Sequence, residues 1–141
     1  MRKKILIIDD DEAICDEISS SLEDEGYDVS ISNDGLEGNT MASSGKFDVL
    51  LLDLYLPSLS GLEILKGLRQ KKCGLHVIVV TGQVDEAQLR KGGHLDGNGV
   101  SETLRLADGL LCKPFCMDKL LSMIKEAVKH TKRSEEKPSI Q

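Results

Sequence analysis

Four short apolar runs in this chain of 141 residues stop abruptly at a residue that could do chemistry. Ile5-Leu6-Ile7-Ile8 runs into Asp9 and Asp10, and Val49 to Leu52 runs into Asp53. Leu75 to Val80 ends at Thr81, and Gly109 to Cys112 ends at Lys113. Taken alone, Asp53 reads as a solvated carboxylate at a strand end or turn. Gathered in one cleft, the same residues would be something else. Three carboxylates repel one another, and without compensation one of them stays protonated. A divalent cation removes the conflict, and an all-oxygen cluster partly open to water suits Mg2+ better than zinc. A lysine adds fixed positive charge and a threonine adds a hydroxyl donor. Such a set describes a site for a phosphoryl group, with a carboxylate as the nucleophile.

Whether these residues meet depends on the elements that carry them. A continuous run of four to eight apolar residues reads as a strand buried on both faces, the kind found inside a parallel sheet. Strands are therefore expected at Lys4 to Ile8, Val49 to Leu52, Leu75 to Val80 and Gly109 to Cys112. Tyr27 to Ser32 alternates apolar with polar and reads as a half-buried edge strand. Helical spacing lies between them. Ile14, Ile18 and Leu22, with Cys15 on the next row, form a stripe that ends at Gly26. A weaker helix spans Leu36 to Ser44 with Leu36, Met41 and Ala42 inward, after an Asn33-Asp34-Gly35 turn. Leu62, Ile64, Leu65 and Leu68 mark a third helix, and Leu120, Leu121, Ile124 and Val128 a last one. Alternating strands and helices imply one α/β unit, a five-stranded parallel sheet wound with helices on both faces. A doubly wound order puts the first and third strands side by side, with Asp9, Asp10 and Asp53 at one edge and Thr81 and Lys113 flanking them.

Between Thr81 and Lys113 the pattern weakens. Residues 85–91 suggest a helical turn or two, Gly92 to Gly99 holds four glycines in eight residues, and a short helix is expected over Ser101 to Ala107. Asp96-Gly97-Asn98 superficially suggests a calcium loop, but Val100 stands where an oxygen ligand is needed. The charged tail, from Thr131 on, reads as disordered.

The bulk numbers narrow the function. A net charge of −6 argues against direct nucleic-acid binding, which rests on cationic surface. Aromatics are only 3 %, so the core must be built from Leu, Ile, Val and Ala. The four apolar residues after Lys4 are too few for a signal peptide, and no stretch has transmembrane length. Cys15, Cys73, Cys112 and Cys116 form no CxxC pair and read as reduced thiols of a cytoplasmic protein. His76, His94 and His130 are scattered and carry no catalytic pattern.

Ile5 to Asp10, Leu51-Leu52-Asp53 with Leu56-Pro57 and Gly61, Thr81-Gly82 and Lys113-Pro114-Phe115 occur in an order that resembles the receiver domain of two-component response regulators, of the chemotaxis-regulator type. The resemblance covers residues 3–130. It implies the flavodoxin-like strand order 2-1-3-4-5, a receiver domain over residues 1–131 with a Gly-rich insertion near 88–99, and a disordered tail or start of a linker at 132–141. It further implies that Asp53 accepts a phosphoryl group from the phosphohistidine of a sensor histidine kinase or phosphotransfer protein. Mg2+ would be held by Asp9, largely through water, by Asp10 and Asp53, and by the backbone carbonyl of Tyr55. Lys113 would pair with Asp53, and Thr81 would turn towards the phosphoryl group. The Lys113–Pro114 peptide would be cis. The output would pass to a downstream protein partner or effector domain, with phosphorylation-dependent dimerisation left open. Such a domain is a signalling switch rather than an enzyme.

Three departures stand out. Thr81 and Lys113 lie 32 positions apart, a segment about ten residues longer than the resemblance suggests. Leu110 occupies the switch position where relatives often carry an aromatic ring. Tyr55 is bulkier than many counterparts, which would hinder water and lengthen the life of the phosphoryl group. Two other classes compete. A receiver-fold interaction module that makes no use of phosphate draws on the insertion and Leu110, while the complete acid, threonine and lysine set opposes it. A phosphatase with an Asp nucleophile would want Asp-x-Asp, but position 55 is Tyr. Neither G-x-G-x-x-G nor a P-loop is present to support a nucleotide enzyme.

Overall fold

The computed structural model describes residues 2–82 and 103–131. The apolar runs form strands β1 (Lys4–Ile8), β2 (Asp28–Ser32), β3 (Val49–Leu52), β4 (His76–Thr81) and β5 (Gly109–Cys112). Helices α1 (Glu12–Asp24), α2 (Gly35–Ala42), α3 (Gly61–Gln70) and α4 (Met117–Val128) connect or follow them. All pairings are parallel, and the sheet order is β2-β1-β3-β4-β5. The expected order is therefore the one found, with β2 at an edge.

Why the strands are apolar throughout follows from the two cores. Side chains alternate across a strand. Leu6, Ile8, Leu50, Leu52, Val77 and Val79 pack with Ala42 of α2 and Ile64, Leu65 and Leu68 of α3. Ile5, Ile7, Val49, Leu51, Ile78 and Val80 pack on the opposite face with Cys15, Ile18 and Leu22 of α1 and Leu120 and Ile124 of α4. Both faces are covered, so no polar position could be spared inside β3.

Helix starts are fixed by side-chain caps. Asp11 accepts from the Ile14 N–H, Asp34 from Glu37 and Ser60 from Glu63. One expectation is corrected here. Leu36 does not face inward but is 56 % exposed. The buried face of α2 is Gly35, Gly38 and Ala42, with Met41 packed beside it. A helix lying this close to Ile8 and Leu59 leaves room for small residues only, and Leu36 sits about 100° away around the axis. Leu106 and Ala107 close a turn on the carbonyls of Thr103 and Leu104, the described remainder of the expected short helix. The expected turns over 85–91, the Gly-rich insertion at 88–99 with His94 and Val100, Ser101 and the tail at 132–141 lie outside the described residues. No helix among the described residues is long and apolar enough to cross a membrane.

Candidate functional site

The parallel register sets the site. Ile8 pairs with Leu52, Leu52 with Val79 and Thr81 with Cys112, so Thr81 at the end of β4 and the residues that follow β1, β3 and β5 emerge at the same carboxyl edge. The ladder runs one step further: the Asp53 N–H donates to the Ile8 carbonyl at 3.0 Å, and the Lys113 N–H to the Thr81 carbonyl at 2.9 Å. Strand order thus converts four distant sequence positions into one cleft.

Within it, Asp9, Asp10 and Asp53 each offer a carboxylate oxygen, all within 4.8 Å of one another. Asp9 and Asp53 are buried while Asp10 is exposed. Lys113 Nζ donates to Asp9 Oδ2 at 2.9 Å and lies 3.6 Å from Asp53 Oδ2. The other oxygen of Asp53, Oδ1, accepts from the Leu54 N–H at 2.8 Å, and buried Thr81 hydrogen-bonds the same carboxylate. Asp9 Oδ1 accepts from the Asp11 N–H at 2.9 Å.

The electrostatics follow from this geometry. Burial, and then the charge of Asp9, raise the Asp53 pKa above the ordinary carboxylate value, although Lys113, Thr81 and the Leu54 amide act against this. Burial alone would lower Lys113, but its hydrogen bond to Asp9 and the charges of Asp53 and Asp9 outweigh that and leave it raised. One ammonium does not neutralise three carboxylates. The donor set is all oxygen, compact and open on the Asp10 side, which fits a hard divalent cation of the size of Mg2+. With a divalent cation bound, the cleft could offset the charge of an incoming phosphoryl group and present a desolvated carboxylate to it.

The sequence-expected residues Asp9, Asp10, Asp53, Thr81 and Lys113 are all brought together. The Lys113–Pro114 peptide is cis, as expected. Tyr55, two residues past Asp53, is 52 % exposed. Leu110 is half-buried opposite Val79 and packs with the core on the α2–α3 face. The four cysteines are free. Burial, followed by the charge of Asp9, pushes the Cys15 thiol up to about 12, so it stays protonated and inert.

Two contacts to the site were not read from the sequence. Asn33 Nδ2 donates to the backbone carbonyl of Asp9 at 2.8 Å, and Cys15 Sγ does so at 3.4 Å. The register explains Asn33: Ile8 pairs with Ser32, so the residue after β2 stands beside Asp9.

A family model described as Response regulator receiver domain matches residues 5–125. Response regulator MprA of Mycobacterium avium is 34 % identical over 137 residues, covering 97 % of this chain and 56 % of that protein. The chain thus spans about half the length of the curated relatives it matches. A CheY-like response regulator receiver domain protein from Methanospirillum hungatei superposes with a TM-score of 0.76 at 33 % identity, over 92 % of this chain and 95 % of that one. The response regulator TrrA of Thermotoga maritima, solved in complex with Mg2+ and BeF, gives a TM-score of 0.71 at 28 % identity, over 89 % and 98 %.

Proposed function

The chain belongs to the response regulator receiver domain family, and on that premise we propose that it is a phosphorylation switch whose acceptor is Asp53. In the transfer, Asp53 attacks the phosphorus of a phosphohistidine on a sensor histidine kinase or phosphotransfer protein. The P–N bond breaks, its electron pair returns to the imidazole, and an acyl phosphate forms on Asp53. Such transfers are largely dissociative, so the domain need mainly position groups and neutralise charge. Lys113, already 3.6 Å from Asp53, follows the charge onto the phosphoryl oxygens. Thr81 exchanges its bond to the carboxylate for one to the phosphoryl group, which biases the chain between two conformers. Asp10, Asp53 and the Tyr55 carbonyl, with Asp9 acting through water, would hold a Mg2+ ion, which would supply countercharge for the phosphoryl group.

The observation that carries this reading is the placement of Lys113 between Asp9 and Asp53 with Asp10 in reach. The receiver unit is taken as residues 1–131, working in the cytoplasm and passing its signal to a downstream protein or an attached effector domain. The test is intact mass after incubation with acetyl phosphate, with and without Mg2+, for the parent and for Asp53→Asn. Gain of one phosphoryl group that requires both Mg2+ and Asp53 is the expected result. No adduct under rapid quenching overturns it in favour of a receiver-fold interaction module.

A further inference from the structure

We propose that Asn33 is a positioning residue for the cation site, holding the Asp9–Asp10 peptide in the orientation that aims the Asp10 carboxylate; the inference rests on the switch reading above. The starting point is an asymmetry between the two acids. Asp9 is gripped at both oxygens, by Lys113 and by the Asp11 N–H. Asp10 has no such grip: among the described residues no hydrogen bond or ion pair engages its carboxylate. Its aim is therefore set through the backbone, by the peptide that joins it to Asp9.

That peptide is held by its carbonyl. β1 ends at Ile8, so the Asp9 carbonyl lies beyond the ladder, in a residue only 3 % exposed. Asn33 Nδ2 donates to it at 2.8 Å and Cys15 Sγ at 3.4 Å. The Asp9 N–H is fixed too, on the Ser32 carbonyl at 3.1 Å. Because the partner is a carbonyl oxygen, the amide must present its N–H2 side. An Asn that served only its own turn would bond within two residues or so. This one reaches 24 residues back along the chain, to the atom that orients Asp10. Turning the peptide would swing Asp10 away from Asp9 and Asp53 while leaving Asp53 and Lys113 where they are.

Outer partners that orient metal ligands typically change affinity about 10–100-fold when removed. For Asn33→Ala the expected result is a Mg2+ dissociation constant raised about tenfold, measured by isothermal titration calorimetry. Phosphorylation by acetyl phosphate should weaken at low Mg2+ and recover as Mg2+ is raised. Asn33→His keeps a ring N–H at a similar reach and should restore the parent's Mg2+ affinity. Circular dichroism melts define the temperature at which each variant is folded. A folded Asn33→Ala that binds Mg2+ as the parent does, losing only melting temperature, overturns the proposal, as does a folded Asn33→His that binds no better than Asn33→Ala. A parent that binds no Mg2+ sinks the switch reading itself, and the inference with it.

Discussion

Asp53 occupies a position that favours chemistry over stability. Its carboxylate is buried, faces Asp9, and receives only part of one lysine's charge. Replacing it by Asn removes the repulsion and keeps an acceptor for the Leu54 N–H. Without divalent cation, Asp53→Asn should therefore be more stable than the parent by about 1 kcal/mol in urea melts at neutral pH. The sign of the pH dependence follows from linkage. A carboxyl with a raised folded pKa binds its proton more tightly in the native state, so the parent loses stability as pH rises from the unfolded value through the folded one. The advantage of Asp53→Asn should shrink as pH falls towards the ordinary carboxyl pKa. An advantage independent of pH would mean that Asp53 is not the strained acid. Tyr55 is expected to matter after phosphorylation. Its ring, 52 % exposed and two residues past Asp53, is expected to slow attack by water on the proposed acyl phosphate. Tyr55→Asn should lose its phosphoryl group several-fold faster, followed by quenched mass spectra; an unchanged half-life removes the ring from that role.

The elements that present these residues were legible where a single periodicity governs them. β3 begins and ends where its apolar run does, and β1 adds only Lys4 to its own, because a strand buried on both faces tolerates no polar interruption. α2 was misread for the opposite reason: its buried face is made of Gly35, Gly38 and Ala42, so hydrophobic spacing pointed at the exposed Leu36. Small residues report close approach, not apolar burial. The loop between β3 and α3 hides a further device. Ser58 has φ 68, donates to Asp34 Oδ1 at 2.8 Å and accepts from the Leu36 N–H at 3.2 Å, tying that loop to the start of α2. A serine in left-handed backbone leaves no signature in the sequence. Gly61 was readable as part of a motif, and its physical reason is now plain. The first residue of α3 lies against the end of β3, its N–H on the Leu54 carbonyl at 2.8 Å, and a Cβ there would collide with the Asp53 carbonyl. Gly61→Ala should cost about 2 kcal/mol in stability, since the obstacle is backbone and cannot rotate away. It should also slow phosphorylation, because the strain is relieved by moving Asp53. A fully active, fully stable Gly61→Ala would show that the loop yields freely.

For the molecule as a whole, the order of elements was enough to predict which strand ends meet, and hence the acid cluster. What it did not show were polar contacts between elements far apart in the chain, since a hydrogen bond from one side chain leaves no period to detect. Asn33 to Asp9 is one such contact, and Arg69 makes several more. From the last turn of α3, its Nε donates to the Leu106 carbonyl at 2.8 Å, Nη1 to the Leu75 carbonyl at 2.9 Å and Nη2 to Asp108 Oδ2 at 2.7 Å. Asp108 Oδ2 in turn accepts from the Val77 N–H at 2.8 Å. One guanidinium thus joins the end of α3 to the starts of both β4 and β5, the two strands separated by the longest interval between strands consecutive in the chain. Contacts of high sequence separation offset the loop entropy of that interval. Deleting the fork strands a carbonyl on buried Leu75 and a carboxylate on Asp108, both partly shielded from water. Arg69→Leu should therefore lose about 2 kcal/mol in urea unfolding, more than an exposed ion pair is worth. Arg69→Lys is the sharper arm. An ammonium can keep the Asp108 pair but cannot span three acceptors in a plane, so it should recover less than half of the loss. Full recovery by lysine would reduce the clasp to its charge, and an unchanged midpoint in Arg69→Leu would remove it from the fold's stability altogether.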